Sequence, residues 1–328
     1  MTVDHDVRTR VWRNGTVEAD NFPFERISDY LEEPDCLVWV DVCAPDKARL
    51  KALADELSLD PHAVEDAVEH RERPKASRYA THMFLSAYEI TFDRDTAELH
   101  ACQVAAFVMK QAFVTVRQSE EFDMDQVVAV WDENADLIKF GPKALAHGLL
   151  DVLVDGHFAA IEALDDEMEA IEDILFEETR ESIRQVQLRS FALRKSLVEA
   201  RRVILPMREL VNAVMRRADD VHPELEPFYD DLYDHVLRAA EWTESLRDMI
   251  SSIFETNLSL ADSRLNTIMK KLTSWAAIIA VPTAVTGFYG QNVPYPGFAR
   301  HWGFWMSSLI MLALAGGLYL IFRRKDWI

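Results

Sequence analysis

The stretch Lys271-Leu-Thr-Ser-Trp-Ala-Ala-Ile-Ile-Ala-Val-Pro-Thr-Ala-Val-Thr-Gly-Phe-Tyr-Gly-Gln-Asn292 decides which fold this chain can adopt. The 18 residues from Leu272 to Tyr289 carry no charge, and about 20 predominantly apolar residues are enough for a helix to span the core of a bilayer. A second uncharged run of 21 residues, Trp302 to Phe322, follows after a connection of only 12 residues. The two runs predict a hairpin of transmembrane helices with a short loop at the far membrane surface.

The first span contains three threonines, Thr273, Thr283 and Thr286, and it continues directly into Asn292. Polar groups inside a membrane need a partner, which is usually a neighbouring subunit or a water-filled cavity. The simplest arrangement is therefore a ring of first spans around a shared axis. The alternative is a membrane anchor whose threonine hydroxyls bond back to their own helix.

The flanking charges predict the orientation of the hairpin. About 270 of the 328 residues precede the first span, and the N-terminal residues lack the apolar core of a signal peptide, so we expect this large domain to stay untranslocated. Basic residues border the inner ends of the spans, whereas the loop carries only Arg300; they are Lys270, Lys271, Arg323, Arg324 and Lys325. The positive-inside rule then predicts a multi-pass protein of the cytoplasmic membrane with both termini in the cytoplasm.

The formal net charge of −21 excludes some partners and favours others. It disfavours nucleic acid, because there is no basic field to neutralise phosphates, and it suits cations, although acidity alone mostly serves solubility. The three cysteines, Cys36, Cys43 and Cys102, have no Cys-x-x-Cys spacing. We interpret them as buried thiols in a reducing compartment, not as a disulfide framework or a zinc site.

Residues 1–140 predict a cytoplasmic α/β domain. Four runs are typical of strands, and the last two form a hairpin about Lys110-Gln111: Cys36–Val42, His82–Ile90, Cys102–Met109 and Ala112–Arg117. Two runs with start signals predict helices, Asp46–Leu57 and Pro61–His70. Because the domain has no Gly-rich phosphate loop, nucleophile elbow or histidine ligand spacing, we expect neither an enzyme nor an organic cofactor.

Residues 141–270 predict a long helical stalk, and residues 271–328 contain the hairpin and a basic tail. A coiled-coil seam with acidic residues on its other faces repeats at Ile161, Leu164, Met168, Ile171 and Leu175. The next helix is basic, so an antiparallel pair of opposite charge is the simplest reading, with metal binding by the acidic run as the alternative. Without proline or glycine between Pro227 and Pro282, one helix can run from about Phe228 to Tyr289, roughly 90 Å.

One face of this long helix carries only small or polar residues, which are Ser252, Glu255, Ser259, Asp262, Asn266, Thr273, Ala276, Ala280, Thr283 and Gly287. A lipid-facing or core-facing stripe would be large and apolar. We therefore expect this face to line water along an oligomer axis. Ordinary solvent exposure explains the cytoplasmic half of the stripe equally well, but not the half in the membrane.

These features together resemble the CorA family of magnesium and cobalt transporters over most of the chain. The family's Tyr-Gly-Met-Asn turn after the first of two C-terminal spans is matched by Tyr289-Gly290-Gln291-Asn292, preceded by Val281-Pro282-Thr283. Other similar segments are Glu72-Arg-Pro-Lys75, Leu205-Pro-Met-Arg-Glu209, Tyr233-Asp-His235 and the tail Arg323-Arg-Lys-Asp-Trp-Ile328.

The resemblance implies a homopentameric channel in the lipid bilayer that moves Mg²⁺, with Co²⁺ and Ni²⁺ as incidental permeants. It places Gly290, Gln291 and Asn292 in an outer selectivity filter that holds a largely hydrated ion. It assigns a pore-lining position to Glu255, Asn266, Leu272, Ala280, Thr283 and Gly287. It also implies that Asp93 and Asp231 bind a regulatory Mg²⁺ between subunits.

The sequence departs from the family pattern at two places. Gln291 replaces the usual methionine, and the loop has Arg300 and His301 but lacks the glutamate that often follows the turn in the magnesium branch. Zinc transport, as in another branch of this superfamily, is therefore the first alternative. A membrane-anchored oligomeric scaffold is the second, and a membrane-bound hydrolase has the least support because no nucleophile–base pair or metal-ligand spacing appears.

Overall fold

A computed structural model of the protein describes residues 7–69, 73–177, 179–215, 222–291 and 293–328. Three of the residues named above, His70, Glu72 and Asn292, lie outside the described residues. The chain divides into two compact units, Met1–Ile253 and Phe254–Ile328.

The first unit is built on a mixed sheet of seven strands. They are β1 (Val7–Arg13), β2 (Thr16–Asp20), β3 (Cys36–Cys43), β4 (Lys75–Arg78), β5 (Met83–Asp93), β6 (Glu98–Val108) and β7 (Ala112–Arg117). Their order is β2-β1-β3-β7-β6-β5-β4. Strands β3 and β7 pair in parallel and the other neighbours are antiparallel. The four predicted strands and the predicted β6–β7 hairpin are confirmed.

Four short helices belong to this unit: α1 (Ile27–Leu31), α2 (Lys47–Leu57), α3 (Pro61–Asp66) and α4 (Met124–Glu133). An aspartate caps the start of each of the last three, as Asp46 does by accepting from the Arg49 amide at 2.7 Å. The predicted continuation of α3 through residues 67–69 is wrong, because the helix ends at Asp66 and the Val68 amide makes a tighter bond to the Glu65 carbonyl; His70, the predicted end, lies outside the described residues.

Apolar side chains cover both faces of the sheet. One core contains the ring of Trp131, which meets Trp39 edge to face at 5.0 Å and packs below the long helices. The other core lies under α1, α2 and α3 and includes Phe84 and Phe107. All three cysteines are buried and none forms a disulfide, as predicted.

Two long antiparallel helices, α5 (Pro142–Leu175) and α6 (Arg180–Met215), follow the sheet. The seam predicted in α5 is buried, since Ile161, Leu164, Met168 and Ile171 are fully inaccessible. The opposite charges of the two helices meet where Arg189 binds both carboxylate oxygens of Glu167 at 2.7 and 2.8 Å. The predicted pairing of an acidic helix with a basic one is confirmed.

The long helix predicted from Phe228 exists as α7 (Glu226–Tyr289), a single helix of 64 residues. In the first unit α7 buries a seam of residues spaced alternately four and three apart, which are Leu232, Val236, Ala239, Thr243, Leu246, Ile250 and Ile253. The last helix, α8 (His301–Arg324), contains the second uncharged run.

Among the described residues, three helices are long and apolar enough to cross a membrane. In α5, 67% of the most apolar 18-residue segment is buried, so its apolar side chains pack in the protein core. The corresponding apolar segments of α7 and α8 are only 6% and 0% buried. Two apolar helices therefore remain whose surface a bilayer can cover, at the positions that the sequence predicted.

Candidate functional site

The turn after α7 is formed by a glycine at a position without room for a side chain. The Gly290 amide donates to the Thr286 carbonyl at 2.8 Å, and the Gln291 amide donates to Phe288 at 3.4 Å. A Cβ atom on Gly290 would lie 2.9 Å from the Thr286 carbonyl oxygen. This close approach explains why a glycine occupies position 290. Asn292, two residues further on, is not among the described residues.

The predicted pore-lining positions all lie on the exposed surface of α7 in the single chain: Glu255, Asn266, Leu272, Ala280, Thr283 and Gly287. Leu272 is 64% exposed, and a Cβ on Gly287 would have open space around it. The face is therefore unpartnered within one chain and free to meet lipid, water or another subunit.

Two of the three threonine hydroxyls of the first span, those of Thr283 and Thr286, bond to their own helix. Thr283 donates to the Ile279 carbonyl at 3.1 Å, and Thr286 donates to Pro282 at 2.8 Å. These bonds satisfy the hydroxyl protons, as the membrane-anchor alternative requires. They leave the oxygen lone pairs, which can still accept from a hydrated cation's water.

The loop after the turn is tied to the end of α7 by a tyrosine that the sequence analysis did not single out. The Tyr295 hydroxyl donates to the Tyr289 carbonyl at 2.7 Å. Its ring lies edge to face against Tyr289 at 5.0 Å and against Phe298 at 5.3 Å. The only sequence signal for this contact is an aromatic residue between two prolines.

Asp93 lies at the end of β5, where the chain turns into β6. Its carboxylate accepts from the backbone amides of Asp95 at 2.8 Å and Thr96 at 3.4 Å. These amide bonds lower the pKa of Asp93 below its usual value, so the side chain is an anion at neutral pH. The turn itself gives this aspartate a local structural role.

Asp231 lies on α7 beside a small group of titratable residues. Its carboxylate is 3.8 Å from Nε2 of His235, one turn further along the helix. Across from it, His147 and Asp151 of α5 line the same cavity, and burial raises the pKa of Asp151. The pairs His147–Asp151 and Asp231–His235 each have i, i+4 spacing, which is visible in the sequence but did not enter the prediction. Asp93 binds its own hairpin and does not belong to this group.

Within the described residues, no three histidine, cysteine, aspartate or glutamate side chains converge to hold a metal ion. Divalent cations of the Mg²⁺ type commonly bind through one or two carboxylates and retain several waters.

A large α/β unit, a long helix with an exposed apolar C-terminal part and a second exposed apolar helix define a two-span membrane protein. The chain belongs to the CorA family: the family model described as "CorA-like Mg2+ transporter protein" matches residues 35–324. The family is one of divalent cation transporters, and the resemblance noted in the sequence is thereby confirmed.

Similar individual proteins agree with this family assignment. The chain is 30% identical over 311 residues to a putative metal ion transporter of Bacillus subtilis, covering 94% of each protein. It is 28% identical to the cobalt/magnesium transport protein CorA of Thermotoga maritima, covering 88% of this chain and 83% of that protein. The solved structure of the CorA magnesium transporter from Methanocaldococcus jannaschii has the same fold, with a TM-score of 0.77, 21% identity and full coverage of both chains.

Proposed function

We propose that this protein is a homopentameric channel that conducts Mg²⁺ across the cytoplasmic membrane, with Co²⁺ and Ni²⁺ as incidental permeants. The observation that carries the proposal is the small and polar stripe on the membrane part of α7, which is exposed in the single chain and ends at the Gly290 turn. In the pentamer the α7 stripes face the axis and α8 faces lipid. The basic flanks of the spans support a cytoplasmic position for both termini.

The proposed domains are 1–140 and 141–270 in the cytoplasm and 271–328 in the membrane. Gly290, Gln291 and Asn292 form the outer filter, where amide and backbone oxygens contact the ion's water shell. Mg²⁺ suits such a filter because it dehydrates reluctantly and prefers oxygen ligands. Asn266, Leu272, Ala280, Thr283 and Gly287 line the path below the filter, and Glu255 forms an acidic ring.

The filter assignment is tested by Asn292→Ala in liposomes loaded with a Mg²⁺ indicator. Flux is expected to be lost while the oligomer still forms, because the change removes only the amide group. The matched control is Ser307→Ala in α8, whose hydroxyl bonds to the Phe304 carbonyl of its own helix. Full flux in Asn292→Ala would mean that the turn only ends the helix.

Regulation is a second part of the proposal. Asp93 stays ionised because amides hold its carboxylate, and Asp231 is exposed on α7. Two such anions from neighbouring subunits repel each other, and a divalent cation between them reverses the interaction. Intracellular Mg²⁺ would then favour a closed pentamer by differential binding at several equivalent sites.

The sensor is tested with the double variant Asp93→Asn and Asp231→Asn. We expect Mg²⁺ to lose its protection against protease and its inhibition of flux, with permeation retained. The matched control changes the adjacent exposed aspartates, Asp95→Asn and Asp230→Asn, and should behave like the parent. Unchanged protection and inhibition in the Asp93 and Asp231 variant would refute the sensor and leave the pore assignment in place.

A further inference from the structure

The loop between the two spans is fixed to the end of α7 by a side-chain hydrogen bond from Tyr295. The Tyr295 hydroxyl donates to the Tyr289 carbonyl at 2.7 Å across six positions of the chain. Tyr289 is the last residue of α7, and the final carbonyls of a helix have no amide partner within the helix. The bond therefore joins the chain after the turn to the residue just before Gly290 and Gln291.

Aromatic contacts hold the Tyr295 side chain in place. Its ring packs edge to face on Tyr289 and Phe298, with centroids 5.0 and 5.3 Å apart, and lies 6.3 Å from Phe288. Edge-to-face geometry is the favoured arrangement for such pairs. The hydroxyl is thus aimed by three neighbouring rings, which limits its freedom to leave the Tyr289 carbonyl.

The other end of the loop is fixed to α8 by backbone contact. Gly297 has a φ of +94°, which glycine adopts without strain. A Cβ on Gly303, in the first turn of α8, would collide with the Gly297 carbonyl oxygen. Contacts of Tyr295, Gly297 and Gly303 thus join the loop to the end of α7 and to the start of α8.

We propose that Tyr295 is a positioning residue for ion selection, acting through the Tyr289 carbonyl and not by touching the ion. A filter that reads a hydrated ion by distance needs its oxygens held in place by surrounding groups. The Tyr295 bond fixes the backbone on both sides of the turn, so its loss allows the filter oxygens to spread. This inference rests on the proposed channel function.

The test compares variants at position 295 in proteoliposomes, with Mg²⁺, Co²⁺ and Ni²⁺ flux measured per assembled oligomer. Tyr295→Phe keeps the ring and removes only the donor. It is expected to raise the half-saturating Mg²⁺ concentration about fivefold and to lower the Mg²⁺-to-Co²⁺ flux ratio. Incorporation of para-aminophenylalanine restores a donor at the same place and should restore both values. Tyr319→Phe in α8 is the matched control.

A merely structural role for Tyr295 predicts something different: all three fluxes fall by one common factor, with unchanged half-saturation and no rescue by the amino group. That result would overturn the inference and leave the channel assignment standing. Absence of any divalent flux in the parent protein would instead refute the channel function and this inference with it. If Tyr295→Phe does not assemble, para-aminophenylalanine, which has a donor, is compared with para-methoxyphenylalanine, which has none. Equal half-saturating Mg²⁺ concentrations and equal flux ratios for these two variants would also overturn the inference.

Discussion

His157 is a buried histidine of α5 that couples the stability of the first unit to pH. Its Nε2–H donates to the Tyr88 carbonyl at 2.8 Å, and complete burial lowers the pKa of His157 from 6.5 to about 4. Between these values the unfolded chain binds a proton that the folded chain does not. The stabilisation is therefore present above pH 6.5 and is lost as the pH falls towards 4.

We predict that His157→Gln, which keeps an N–H donor but cannot titrate, flattens this pH dependence. The parent should lose up to about 3 kcal/mol more free energy of unfolding than the variant on acidification through this range. Thermal unfolding of both proteins in detergent across the range measures the difference. Parallel pH profiles would contradict the assignment.

The buried pair between Asp41 and Arg117 joins β3 to β7. Arg117 Nη2 lies 2.6 Å from Asp41 Oδ2, and the side chains are only 7% and 1% exposed. We predict that Arg117→Met destabilises the protein by about 3–5 kcal/mol, because it leaves a buried carboxylate without its counter-charge. The same change at Arg8, whose pair with Asp125 is exposed, should cost under about 1 kcal/mol. Equal shifts in the unfolding midpoints would disprove the distinction.

At the scale of elements, the turn after α7 gives a sharp steric prediction. Gly290→Ala places a methyl group 2.9 Å from the Thr286 carbonyl oxygen, so the backbone of the turn must move. We expect Mg²⁺ flux to fall at least about tenfold by analogy with displaced groups at other precisely built sites. Gly316→Ala, in an open position on α8, is the matched control and should conduct normally. Normal flux in Gly290→Ala would show that the turn tolerates displacement.

The elements that the sequence predicted are those with a strong hydrophobic pattern. Strand β3 is buried along its whole length, and α7 has no interior helix breaker before Pro282. Strands β1, β2 and β4 escaped prediction. Strands β2 and β4 are exposed or half-buried and polar, so nothing distinguishes them from loops, and β1 interleaves three arginines with its apolar residues. Their pairing depends on strands distant in the sequence, which no local pattern encodes.

The candidate site also has parts that could be predicted from the sequence and parts that could not. The Gly290 turn could be located from the sequence because it follows an uncharged span, and the stripe on α7 could be read from helical periodicity. Tyr295 could not, since its role depends on where the loop folds back onto α7. The group around Asp231 needs α5 and α7 side by side, although the i, i+4 spacing of each pair was visible. Contacts between distant segments were thus the part that only the structure supplied.

At the scale of the whole molecule, the proposal requires an assembly, because two spans cannot enclose a hydrophilic path alone. We predict that native mass spectrometry in a mild detergent finds a pentamer. The small and polar stripe of α7 is exposed in one chain and needs partners in a membrane. Glu255→Ala should leave the pentamer intact, since it removes a side chain of the path and not of the buried seam. A population of only monomers and dimers would contradict the ring.

The central claim is that the purified protein alone conducts Mg²⁺, and ion flux in liposomes tests it most directly. Mg²⁺, Co²⁺ and Zn²⁺ would be supplied separately at equal concentration gradients to vesicles containing the parent protein. The account predicts rapid, saturable Mg²⁺ flux, slower Co²⁺ flux and less Zn²⁺ flux than either. Zn²⁺ flux exceeding that of Mg²⁺ would assign the protein to zinc transport, and no flux of any of the three ions would contradict the channel itself.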